Sequence, residues 1–221
     1  MKFEARDWDF VTGKAFSGKT YFIRAHIAAI PPNRHVYIYD MTHEYADLAS
    51  SKSVDVWLVK TGLIQEFEQF IEIPYNEGNC TVVLSESDNY LNKDSPVIKQ
   101  FVTTGRNRGI GAIVDCKRPK GVMPQYRVRF NDLVMFQTNL PESIEYLEDW
   151  CGTGRGSLDI LRTLKQGEYI ICDLDEQTLS GKMRLGGVKY KNPSAQRQHI
   201  RIESENAEIA KMKRERENRA R

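Results

Sequence analysis

Residues 13–20 read GKAFSGKT, a complete G-x-x-x-x-G-K-[ST] pattern, and they stand between an apolar run at Trp8–Val11 and a helical pattern at Tyr21–Ile30. Strand, glycine-bearing turn and helix in that order are the setting of a phosphate-binding loop (P-loop), which separates it from a chance match. Gly13 and Gly18 let the backbone of Lys14, Ala15, Phe16 and Ser17 bend so that successive N–H groups face phosphate oxygens, and the following helix adds its positive end. Lys19 reaches the β- and γ-phosphates, and Thr20 supplies a hydroxyl to Mg²⁺. The nucleotide-binding segment is therefore expected to run from Gly13 through Tyr21, with ATP and Mg²⁺ as cofactors.

Outward from this loop, apolar runs alternate with helical patterns as they do in parallel α/β sheets. The expected strands are Asp9–Thr12, Val36–Tyr39, Val54–Val59, Val82–Leu84, Ile110–Val114, Leu133–Phe136 and Tyr169–Cys172. Between them, Leu63, Ile64, Phe67, Phe70 and Ile71 recur at helical spacing, as do Val97, Ile98, Phe101 and Val102, and then Ile144, Leu147 and Trp150 behind Pro141. Tyr169–Leu174 and Thr178–Leu185 flank Asp175, Glu176 and Gln177, which predicts a closing antiparallel hairpin. The expected fold is a RecA-like α/β P-loop NTPase of the type with an additional strand and a catalytic glutamate: a mostly parallel sheet, flanking helices and a C-terminal β-hairpin.

The chain has 221 residues, 40% of them hydrophobic, enough for one buried sheet with a modest appendage. Residues 1–190 are assigned to the P-loop ATPase domain. Residues 191–221 form a charged tail in which Lys211, Glu215 and Arg219 would align at i,i+4 spacing; a solvated helix, a partner-binding helix and disorder all remain open there. No apolar stretch approaches the roughly 20 residues that span a bilayer, and MKFEARDWDF lacks a signal-peptide pattern, so a cytoplasmic or particle-associated location is expected. Cys80, Cys116, Cys151 and Cys172 form no C-x-x-C pair and read as reduced core thiols. A formal net charge of +2 carries no global nucleic-acid signature.

In P-loop ATPases that hydrolyse with a glutamate, a strand after the P-loop strand ends in an acidic pair, one carboxylate serving the Mg²⁺ shell and the next polarising water. Here that strand reads TVVLSESD: Glu86 takes the catalytic position and Ser85 stands where Asp is usual. Two consequences are open, a weaker Mg²⁺ site or compensation by Asp88 from the following turn, so Thr20, Ser85 and Asp88 are the metal candidates. The next segment, TTGRNRGIGAIVDCKRPKGVMP, places Arg106 and Arg108 before a strand and Lys117 at its end, where an inserted strand carries a γ-phosphate sensor. The catalytic candidates are thus Lys19, Glu86, Arg106 and Lys117.

This segment resembles the HerA/FtsK superfamily of DNA-pumping ATPases, whose matching stretch runs G-R-x-x-G, apolar strand, T-Q-R-P. The resemblance covers residues 9 to about 185 and is closest to the small genome-packaging ATPases of tailless icosahedral viruses with an internal membrane. Shared elements are G-x-G-x-I, the Q-R-like Lys117–Arg118, Met123–Pro124, the strand D-L-V-M-F and L-K-Q-G-E-Y-I-I-C-D with its return strand; Lys117 replaces the family's glutamine. Asp40, His43, Glu44 and Tyr45 look like the D-x-H-G-E-Y segment of HerA. The resemblance implies a homo-oligomeric ring, expected to be a hexamer, with ATP at each subunit boundary and double-stranded DNA in the channel. It also implies an arginine donated across the boundary; Arg106 is the candidate, and the competing reading makes Arg106 and Arg108 helix-terminal residues favoured by the macrodipole. Lys120, Arg127 and Arg129 are candidates to line the DNA path or are ordinary basic surface.

The function implied is an ATP-driven DNA translocase that packages a viral genome into a preformed capsid, with capsid or internal-membrane proteins as further partners. Alternatives are a plasmid or cellular HerA-like DNA pump, disfavoured by the missing guiding and membrane segments; a nucleotide kinase, disfavoured by the lack of an arginine-rich lid; and a non-hydrolysing nucleotide-binding structural protein, which Ser85 keeps open.

Overall fold

The computed structural model describes residues 7–51 and 53–186, so the charged tail expected at 191–221 lies outside the described residues. In chain order the strands are β1 (Trp8–Thr12), β2 (Val36–Asp40), β3 (Val54–Leu58), β4 (Thr81–Leu84), β5 (Gly111–Cys116), β6 (Asp132–Phe136), β7 (Glu168–Asp173), β8 (Thr178–Leu179) and β9 (Met183–Arg184). The helices are α1 (Lys19–Ala29), α2 (Ile64–Glu77), α3 (Pro96–Thr104), the single turn α4 (Pro124–Arg127) and α5 (Pro141–Cys151). All seven strands expected from the sequence are present.

One sheet runs in the order β3-β2-β4-β5-β1-β6-β7-β8, with β9 also on β7. From β3 to β6 every pairing is parallel, and β7 turns antiparallel against β6. β5 is the inserted strand, lying between the P-loop strand β1 and the strand β4 that leads to Glu86. The return of the terminal hairpin is split: Cys172 faces Leu179 while Tyr169 faces Met183, a register change of one residue that marks a bulge between β8 and β9.

Both faces of the sheet are buried, which is why its inner strands are continuous apolar runs. On one face α1 lays Phe22, Ile23 and Ile27 against Val11, Ile38, Val83, Ile113 and Val134. On the other, Phe67, Phe70 and Ile71 of α2, Ile98, Phe101 and Val102 of α3, and Ile144 and Leu147 of α5 cover Phe10, Tyr39, Val82, Val114 and Met135. α3 starts at Ser95, whose hydroxyl accepts from the Ile98 N–H, followed by Pro96 at its first position. All four cysteines are free and buried, in keeping with core thiols. Among the described residues no helix is long and apolar enough to cross a membrane.

Candidate active site

The P-loop occupies the C-terminal end of β1. Gly13 has φ +145°, and a Cβ there would lie 2.7 Å from Phe136 Cβ, so only glycine fits. The loop is pinned on both sides: the Lys14 N–H donates to Gln137 O at 2.8 Å, and the Gly167 N–H donates to Ser17 O at 2.8 Å. Gly18, at φ +115°, is the N-cap of α1; it offers no side-chain cap, and the first turn holds no acidic residue. The first N–H groups of α1 are thereby left for an anion, which the helix dipole also favours. Helix α1 starts two residues before the helical pattern does because this left-handed glycine turns the chain into it.

Lys19 is buried, with 6% exposure; its Nζ donates to Gly13 O at 3.0 Å and Lys14 O at 3.3 Å, and lies 3.8 Å from Asp115 Oδ1. Asp115 belongs to β5, faces Val11 in the β1–β5 register and is itself buried. Burial pushes its carboxyl up to about 6 although the Lys19 charge pulls it down, and Oδ1 has no hydrogen-bond partner. Thr20 Oγ1 donates to Glu44 Oε2 at 2.6 Å. Glu44 is set there by Asp40 at the end of β2, whose buried carboxylate accepts from the Glu44 N–H at 3.0 Å and the Tyr45 N–H at 2.8 Å. Burial raises the Asp40 pKa and these amides oppose the rise. Arg24 fastens the same loop from α1, donating to Glu44 O at 2.8 Å and to Asp47.

Glu86 lies two residues past the end of β4 at φ +53°, ψ +44°, a left-handed conformation uncommon for a residue with a side chain and concentrated at functional sites. Its carboxylate accepts from Lys117 Nζ at 2.7 Å; the Glu86 side chain is 14% exposed and that of Lys117 42%. Burial acts to lower the Lys117 pKa, but the Glu86 hydrogen bond and charge outweigh it and leave the ammonium above its ordinary value. Ser85 is buried and its hydroxyl accepts from the Met41 N–H at 2.9 Å.

Several sequence expectations find different geometry. Asp88 does not join Thr20: it accepts from the Lys117 N–H at 3.4 Å, packs its Cβ against Gly121 and lines a groove of about 480 Å³ with Arg118 and Lys120. The turn after β4 carries it past the edge of the sheet, and it is Glu44 that meets the threonine. Arg106 lies beyond the N-terminal end of β5, the opposite end from the P-loop. It has partners in its own chain, donating to Asn131 Oδ1 and the Arg129 carbonyl. Arg127 stacks over Tyr146 (4.4 Å) and Trp150 (5.7 Å), whereas Arg118 and Lys120 are exposed.

Thr20 is bonded to Glu44, and Asp115, beside the buried Lys19, feels the charge of Glu44; hard oxygen ligands of this kind suit Mg²⁺. Asp115 was missed because nothing local marks it; Glu44 was legible only through its likeness to the HerA segment.

The strand order, the P-loop and the glutamate position together define a RecA-like P-loop ATPase fold. Solved structures agree. The DNA-packaging ATPase B204 of Sulfolobus turreted icosahedral virus superposes with TM-score 0.68 at 20% identity, over 81% of this chain and 98% of that one. The genome-packaging NTPase B204 of Sulfolobus turreted icosahedral virus 2, in complex with AMPPCP, gives 0.69 at 19% identity, over 83% and 100%. The conjugation coupling protein TcpA of pCW3, with ATPγS, gives 0.59 at 13% identity, over 78% of this chain and 59% of that one. Two of these neighbours are genome-packaging enzymes and the third is a conjugation coupling protein; at such identities the likeness is one of fold. No protein-family model and no curated protein matches the chain.

Proposed function

We propose that this chain is an ATP-hydrolysing motor that moves double-stranded DNA, assembled as a homo-oligomeric ring, and that its task is packaging a viral genome. The observation that carries the reading is Glu86 at the tip of β4, one strand beyond β5 from a P-loop whose Lys19 and Thr20 are already held in place. The two packaging enzymes superpose at TM-scores of 0.68 and 0.69 and the conjugation protein at 0.59, which supports packaging over the pump alternative.

In this reading Lys19 leaves the carbonyl oxygens of Gly13 and Lys14 for the β- and γ-phosphates, and the N–H groups at the start of α1 hold the phosphate chain. Thr20, with the carboxylates of Glu44 and Asp115, would hold Mg²⁺, which when bound offsets charge on the phosphates. Glu86 orients water and accepts its proton. Steady-state phosphate release that rises on adding duplex DNA tests the whole; nucleotide binding without turnover under any condition would leave a structural nucleotide-binding protein instead.

Lys117 acts on water through Glu86, as a positioning residue. Lys117→Ala is expected to lower kcat by on the order of 10- to 100-fold, the cost of a misplaced reacting group, with ATP affinity nearly unchanged and Lys117→Arg restoring much of the rate. Parallel losses in affinity and kcat would instead make Lys117 a direct phosphate contact.

Arg106 remains the candidate for donation across a subunit boundary, but its ties to Asn131 and Arg129 give it a fold role as well. Arg106→Ala is expected to cost about 1–3 kcal/mol in chemical denaturation through the orphaned acceptors. Co-assembled rings mixing Arg106→Ala with Glu86→Gln subunits should regain activity if the arginine works in trans; rings that stay inactive would confine it to the fold.

A further inference from the structure

Ser85 removes the carboxylate that a metal-binding strand end needs, and Asp115 stands next to the gap. The β4–β5 register pairs Thr81 with Gly111 and Leu84 with Val114, and one further step sets Ser85 beside Asp115. Side chains alternate along a strand, so Val83 and Ile113, which pack on the α1 face, place Ser85 and Asp115 on that same face, the face of the P-loop helix. We infer that the metal-shell carboxylate of this ATPase has moved one strand across the sheet, from the end of β4 to Asp115 on β5. The inference rests on the nucleotide-binding reading above.

Four observations support it. Asp115 is one of the few buried acids of the sheet, with 5% exposure, and Oδ1 has no hydrogen-bond partner, so the high desolvation cost of this oxygen is offset chiefly by the Lys19 charge 3.8 Å away. Its neighbour cation, Lys19, is the group that phosphate draws away, which frees the carboxylate when nucleotide enters. Ser85 meanwhile is a short side chain whose hydroxyl accepts from Met41, leaving the space on that face to a group from β5. Asp88, the other acid near in sequence, is turned into the groove of Arg118 and Lys120.

The competing role for Asp115 is a counter-ion to Lys19 and nothing more, and nucleotide affinity with and without metal separates the two. ATP binding to the full chain would be measured by calorimetry in EDTA and in Mg²⁺ for wild type, Asp115→Asn, Ser85→Asp and the double variant Ser85→Asp/Asp115→Asn. Asp115→Asn is expected to bind ATP in EDTA at least as tightly as wild type, since Lys19 is released. It should lose roughly 10- to 100-fold of the tightening that Mg²⁺ confers, the range seen when a metal site loses a supporting group. The double variant should recover most of that tightening, because it returns the carboxylate to β4 and also shows that the site still folds. An undiminished Mg²⁺ effect in Asp115→Asn, or a double variant no better than the single one, overturns the relocation. Failure of wild type to bind ATP in either buffer would instead overturn the nucleotide-binding reading on which it rests.

Discussion

Lys19→Ala is expected to bind ATP roughly 10- to 100-fold more weakly than wild type, because a charge-assisted contact to phosphate is worth about 1.5–3 kcal/mol and each 1.4 kcal/mol is tenfold. The buried ammonium already sits inside the loop, bonded to Gly13 O and Lys14 O, so it needs only a short movement to meet the phosphates. The same substitution has a second effect that depends on pH. Asp115 has a folded pKa raised to about 6, above its ordinary value of 3.8, so the folded state takes up its proton more readily than the unfolded one. Its ionisation therefore subtracts stability as pH rises from about 4 through 6. Lys19 limits that loss, and removing it leaves the carboxylate to ionise without its nearest cation. The stability gap between wild type and Lys19→Ala should accordingly be wider at pH 8 than at pH 5, read from denaturation midpoints at the two values. Equal ATP affinity in the two proteins would remove Lys19 from the binding site, and a pH-independent gap would break its coupling to Asp115.

Glu86→Gln should behave in the opposite way, with binding kept and turnover lost. Glutamine preserves the size of the side chain at the left-handed position but cannot take a proton, and general-base contributions are typically 10²- to 10⁴-fold. The lost ion pair with Lys117 joins a partner that is 42% exposed, where such pairs are worth about 0–1 kcal/mol, so the fold should be little affected. Single-turnover hydrolysis alongside calorimetric ATP affinity checks both halves. A variant that still turns over at the wild-type rate would take Glu86 out of the chemistry and reopen the choice of base.

The two defects are separable because they fall on different strands. Lys19 belongs to the helix that starts at the end of β1, and Glu86 to the end of β4, with β5 between them. A binding defect in one variant and a turnover defect in the other is the signature of that arrangement; a shared defect would mean that the strand ends do not act on one nucleotide.

Features carried by local pattern were legible in the chain. The P-loop is a contiguous motif whose glycines and lysine need no distant partner to be identified. The inner strands appear as apolar runs because a parallel sheet covered on both faces has no polar side to show. The position of Glu86 past the end of its strand is legible because it lies two residues beyond Leu84, the last residue of that apolar run.

Pairings between distant segments were decided only by the tertiary structure. Asp115 looks like one more polar residue after a strand until β5 is set between β4 and β1, which brings it level with Ser85 on one side and Val11 on the other. Glu44 reaches Thr20 only because Asp40 folds the loop after β2 back over α1. Asp88 is close to Glu86 in sequence, yet the short turn that follows β4 swings it to another groove, and Arg106 is close to β5 but at the end away from the phosphates. Sequence by itself determined the P-loop fold class and the order of strands along the chain. Which carboxylates gather at the phosphate site depends on strand register and sheet order, and these are set by the burial of whole faces and not by any residue's neighbours in the chain.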